Sequence, residues 1–113
     1  MKIALKQQTT ERKNSEYCLV TEYPIGEKAI DFAVVKLSGR YPDERRASNL
    51  VCQEIVYIQK GNGRVVVEGK ENILNAGDVV LIEPGEKYFW EGHMELFISC
   101  HPAFHIEQHQ LVD

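Results

Sequence analysis

From residue 51 to residue 100, glycine and proline interrupt the chain about every ten residues, and apolar, β-branched or aromatic runs fill the gaps. Six of the eight glycines lie between positions 61 and 92, too closely spaced for a helix of useful length. Val51–Gln59, Arg64–Glu68, Val79–Ile82, Tyr88–Trp90 and Met94–Cys100 read as strands. Gly61-Asn62-Gly63 reads as a hairpin turn, Gly69-Lys70 and Pro84-Gly85 as further turns, and Gly92 as the break between the last two strands. Upstream, Cys18–Tyr23 and Ile30–Leu37 are strands, and Ser38–Asp43 is a turn and loop. This pattern predicts an all-β antiparallel barrel or sandwich.

At 113 residues the chain makes one domain. Residues 1–16 form a polar arm or edge strand, and 17–113 the barrel domain with a short C-terminal tail. Ala103–His109 is expected to form one or two helical turns. The net charge of -4 gives no basic surface for nucleic acid. The Arg40, Arg45 and Arg46 cluster reads as a solvated loop face or, failing that, an anion contact. No apolar run reaches membrane-spanning length and the N-terminus lacks a secretion signal, so no membrane association and a cytoplasmic location are expected. Cys18, Cys52 and Cys100 are widely spaced and read as reduced, buried thiols.

Two segments resemble the signature of small single-domain cupins. Glu54 to Gly63 matches the glutamate and glycine end of the first motif. Gly77 to Tyr88 follows the frame of the second, with Pro84 one position late. The resemblance implies a double-stranded β-helix, or jelly-roll barrel, over about residues 30–100. It also implies a divalent metal held by three histidines and a glutamate, and here this chain departs from the pattern. The first two histidine positions fall on Ala47 and Asn49, or on Ser48 and Leu50, depending on register. The third is Tyr88, and the motif asparagine is Gly92. Glu54 alone remains, so neither a metal nor another cofactor is expected. His93, His101, His105 and His109 all follow Gly92 and read as surface or capping residues, with a displaced metal site as the alternative. His93 is the one expected to see the cavity.

Strand alternation puts Cys52 on the same face as Glu54, and Trp90 on the same face as Tyr88, and both faces are expected to point to the barrel interior. The expected pocket therefore holds Glu54, Tyr88 and Trp90, joined by Asn49, Cys52 and His93. A buried carboxylate without a metal needs a hydrogen bond or a proton, and Tyr88 is the expected partner. The pocket reads as a metal-independent site for binding or sensing a small molecule. Two alternatives are a metal-free isomerase, epimerase or lyase using Glu54 and Tyr88 as acid and base, and a mainly structural homodimer. Small cupins commonly pair as homodimers, so a homodimer is expected on any of these readings.

Overall fold

The computed structural model describes residues 1–113. It contains nine strands: β1 Thr10–Ser15, β2 Cys18–Glu22, β3 Ala33–Tyr41, β4 Arg46–Asn49, β5 Gln53–Val67, β6 Lys70–Asn75, β7 Val79–Ile82, β8 Lys87–His101 and β9 His109–Val112. All pairings are antiparallel. The fold is the all-β antiparallel barrel that the turn spacing predicts, in the jelly-roll form that the cupin resemblance implies. No helix is long and apolar enough to cross a membrane.

The frame is a long ribbon of β5 and β8, paired from Gln53↔His101 to Val67↔Tyr88. The other edge of β8 carries β3, then β2 and β1, along Trp90 to Ile98, and β4, then β9, at Lys87 and Tyr88. The other edge of β5 carries β7 and then β6. The sheet curls around a core in which Val35, Leu37, Val56, Ile58, Val65 and Leu96 pack together. Alternation on β5 is strict at first: Glu54, Val56 and Ile58 are buried, and Ile55 and Tyr57 are exposed.

Gly61-Asn62-Gly63 is not a hairpin turn. β5 runs straight through it, and Gly92 likewise lies inside β8. The register slips by one residue between Ile58 and Lys60, and the ribbon continues. These glycines are needed for close approach. A Cβ on Gly61, whose φ is +87°, would lie 2.0 Å from the carbonyl oxygen of His93. Gly39, Gly92 and Gly63 also face one another across β3, β8 and β5, letting three strands bend together. The true hairpin follows at Glu68-Gly69, where both residues have positive φ.

Three further expectations are corrected. β3 extends through Arg40 and Tyr41, because Tyr41 pairs with Trp90 where a loop was expected. The tail makes only a short 3-10 turn at Ile106–Gln108 before β9 pairs with β4. The arginine cluster is not a free solvated face. Arg45 donates to the Leu111 carbonyl and Arg46 to that of Asp113, so the cluster pins the tail to the barrel. Arg40 stacks 3.7 Å above the Phe89 ring.

Candidate functional site

A cavity of about 80 Å³ opens into the barrel, well above the ~10–15 Å³ that one water requires. Its floor is Glu54 from β5 and Tyr88, Trp90 and Cys100 from β8. β3 contributes Tyr41, and β2 contributes Cys18 and Glu22. Arg12 and Asn14 of β1, Asp31, and Phe104 and His109 of the tail add to the lining, and apolar side chains of β2, β3 and β8 make up the rest. Glu54 and Tyr88 retain 8% and 3% of their exposure, whereas the Arg12 and Glu22 side chains retain 37% and 44% and form the rim.

Glu54 has no cation beside it. Its one hydrogen-bond partner is the Cys100 thiol, whose Sγ lies 3.8 Å from Oε1. Burial, with the nearby Asp31 charge adding to it, pushes the Glu54 carboxyl up to about 7. Asp31 is itself anchored, accepting the backbone N–H groups of Cys100 at 2.7 Å and Phe104 at 2.9 Å. Burial pushes the Cys18 thiol up to about 12, and a hydrogen bond with the Cys52 thiol, together with burial and the Glu54 charge, raises that of Cys100. Tyr41 and Tyr88 are likewise held above the usual phenol range, chiefly by burial.

A polar chain supports the floor. Gln108 Oε1 accepts the backbone N–H groups of Val51 at 3.1 Å and Cys52 at 3.2 Å. Its Nε2 lies 3.0 Å from Asn49 Oδ1, and His109 Nδ1 lies 2.7 Å from the same oxygen. The Tyr41 hydroxyl lies 2.8 Å from His109 Nε2. Asn49 Nδ2 reaches the Tyr88 hydroxyl at 3.3 Å. Burial holds His109 below the ordinary histidine range, so it is neutral near pH 7. At the rim, Arg12 pairs with Glu22 at 2.5 Å, hydrogen-bonds Asn14 and lies over the Phe104 ring.

The structure brings Glu54, Tyr88 and Trp90 to one cavity. Glu54 and Tyr88 are not bonded to each other; the first bonds Cys100 and the second Asn49. Asn49 lies one layer behind the cavity, holding Tyr88. Cys52 is buried further off, its thiol donating to Gln108 at 3.3 Å. His93 is exposed on β8 and does not reach the cavity. Instead His109 does, because β9 carries the tail back across the barrel. Sequence reading missed Tyr41, Asp31 and Gln108 as well. Each lies in a segment read as loop, tail or strand entrance, and only the fold-back places it.

The donor set does not fit the usual cupin metal. Ala47 and Ser48 carry no imidazole, Asn49 is spent on Gln108, His109 and Tyr88, and no group of three or more His, Cys, Asp or Glu is disposed around an ion. A family model described as a cupin domain matches residues 48–95, the stretch from β4 into β8. The chain contains a cupin domain. Among curated proteins, none matches the sequence. Among solved structures, this cupin is similar to Pac13, a nucleoside dehydratase, at a TM-score of 0.89 and 16% identity, over 99% of this chain and 91% of that one. Three substituted forms of that Streptomyces protein, solved with uridine, superpose equally well. An RmlC-like cupin from Shewanella frigidimarina is similar at a TM-score of 0.76 and 15% identity, over 93% of this chain and 94% of that one. KdgF from Halomonas sp. is similar at 0.72 and 13%, over 90% and 95%. At such identities the likeness is one of fold.

Proposed function

We propose that this cupin is a metal-independent lyase that eliminates water from a small, uncharged, nucleoside-like substrate. The observation that carries the reading is Glu54: a buried carboxyl, free of any cation, poised to gain or lose its proton near neutral pH. A carboxyl in that state is costly for a merely structural barrel and useful to one that moves protons. In the proposed step, ionised Glu54 takes a proton from a carbon made acidic by a neighbouring carbonyl. The C–H electron pair becomes a C=C bond and the C–O bond on the next carbon breaks. The leaving hydroxyl takes the proton from the now protonated Glu54 and departs as water, which returns Glu54 to its ionised form. Tyr88 and Tyr41, both protonated, flank the reacting atoms. The similarity to a nucleoside dehydratase across nearly the whole chain supports a lyase over a pure sensor.

The charges support an uncharged ligand. Three carboxyl groups line the cavity, against one cation, and that cation, Arg12, is already spent on Glu22 and Asn14. A phosphate would meet no free partner there.

Trp90 is the only tryptophan and lines the cavity, so its fluorescence reports occupancy directly. Titration with uridine should change that emission with saturation, whereas uridine 5′-monophosphate should bind at least about tenfold more weakly, a difference of about 1.4 kcal/mol. Incubation with carbonyl-bearing nucleosides should yield products lighter by one water in mass spectra, and Glu54→Gln should abolish them. Saturable binding without turnover of any carbonyl-bearing nucleoside would return the protein to a binding role. The expected homodimer has one supporting observation: Ile55, Tyr57, Val79 and Leu81 form an exposed apolar patch where β5 meets β7. Light scattering tests it.

A further inference from the structure

We propose that Gln108 and Asn49 are positioning residues that fix the two cavity tyrosines in opposite polarity, Tyr41 as acceptor and Tyr88 as donor, so that the cavity selects a sugar-like ligand whose neighbouring oxygens offer one hydroxyl donor and one acceptor. The ligand half of this inference rests on the function proposed above; the hydrogen-bond half rests on the distances and on a neutral, buried His109.

The chain of reasoning starts at backbone groups whose roles are unambiguous. The N–H groups of Val51 and Cys52 can only donate, so the atom of Gln108 they approach is its carbonyl oxygen. The other end of Gln108 is therefore the amide NH2, and it donates. The Asn49 atom it meets must accept, which makes that atom Oδ1. His109 Nδ1 meets the same oxygen and must carry a hydrogen to bond it. A neutral imidazole has one N–H, so His109 Nε2 is bare. The Tyr41 hydroxyl therefore donates to Nε2, its only proton is committed, and only its lone pairs remain for the cavity.

The other end of Asn49 has the opposite effect. Its Oδ1 is fixed, so Nδ2 is the donor to the Tyr88 hydroxyl oxygen. Asn49 is the only hydrogen-bond partner of that hydroxyl, and the Tyr88 proton has no protein acceptor. Tyr88 is 3% exposed and lines the cavity, so the group left to receive its proton is a cavity ligand. One glutamine, held by two backbone N–H groups, thus sets the direction of two hydroxyls from different strands. A ligand with an oxygen acceptor facing Tyr88 and a hydroxyl facing Tyr41 satisfies both. A ligand with two acceptors, or with no hydroxyl, leaves one of them unpaired in a buried site.

The test reads the imidazole first. Nitrogen-15 NMR of the full chain near pH 7.5 should show His109 neutral and protonated on Nδ1, without any ligand. Asn49→Asp keeps an acceptor for His109 but replaces the donor facing Tyr88 with an oxygen, so it should retain the Nδ1–H form while capturing the Tyr88 proton. Uridine affinity, followed by Trp90 fluorescence, should then fall at least about tenfold, and Tyr88→Phe should fall alike. Wild-type protein should also bind 2′,3′-dideoxyuridine at least about tenfold more weakly than uridine. A wild-type His109 protonated on Nε2 overturns the polarity assignment. Wild-type affinity in both Asn49→Asp and Tyr88→Phe, or equal affinity for uridine and its dideoxy form, overturns the selection rule. Nδ1–H in a protein that binds no nucleoside at all would confirm the relay and count against the proposed function instead.

Discussion

Replacing Glu54 by glutamine should make the protein more stable and less active, and the size of the gain should depend on pH. In the folded protein the carboxyl sits at about 7, against an ordinary value of 4.5. The folded state therefore binds this proton more tightly than the unfolded chain does. Its contribution is complete below pH 4.5 and is lost as pH rises through 7. Integrating the two titrations between about pH 5 and pH 8 gives a loss of about 2–3 kcal/mol in the wild type. Glutamine has the same shape, cannot ionise and still accepts from the Cys100 thiol, so Glu54→Gln should not suffer that loss. His109 is shifted downward and adds a slope of opposite sign, but it does so in both proteins and cancels in the difference. Urea unfolding at several pH values within this window measures the difference. The gap between variant and wild type should widen by about 2–3 kcal/mol toward pH 8, equivalent to a melting temperature gap growing by about 10 °C. A gap that stays constant from pH 5 to pH 8 would mean that Glu54 titrates normally, and the acid–base reading would go with it. Increased stability with lost turnover is the pattern expected of a group retained for chemistry.

Other consequences are directly measurable. Gly61→Ala places a methyl group 2.0 Å from a backbone oxygen at a φ of +87°, so it should cost more than ~2 kcal/mol or prevent folding; wild-type stability in urea would contradict the continuous bent β5. Gln108→Leu strips the partner from the buried Cys52 N–H and should cost about 1–3 kcal/mol, seen as faster hydrogen exchange at that amide; unchanged exchange would deny Gln108 its anchoring role. Dialysis against a strong chelator should leave water elimination unchanged, since Glu54 stands without the imidazoles a cupin metal uses. Activity lost to the chelator and restored by one particular ion would refute the metal-independent mechanism.

Much of the barrel was legible in the sequence because its signals are local. Alternation along Glu54, Val56 and Ile58 is set by the two-residue period of a strand, whatever lies beside it. The absence of a histidine at Ala47, Asn49 and Tyr88 needs no structure to be noticed. The same locality explains the errors. Gly61-Asn62-Gly63 carries the chemistry of a turn, yet whether it turns depends on the partner strand, and the bent β8 holds it extended. His93 was preferred over His109 because proximity to a strand was the only guide. His109 reaches Asn49 from sixty residues away and Tyr41 from sixty-eight, through a tail pinned by Arg45 and Arg46. Glu54 was identifiable as an inward carboxyl from alternation alone. That it stands without a cation, beside a thiol and within the field of Asp31, follows only from where β8 and the segment before β3 bring Cys100 and Asp31. Side-chain direction along a strand is a property of the chain itself. The field acting on a buried proton comes from neighbours distant in sequence, and only the folded barrel assembles them.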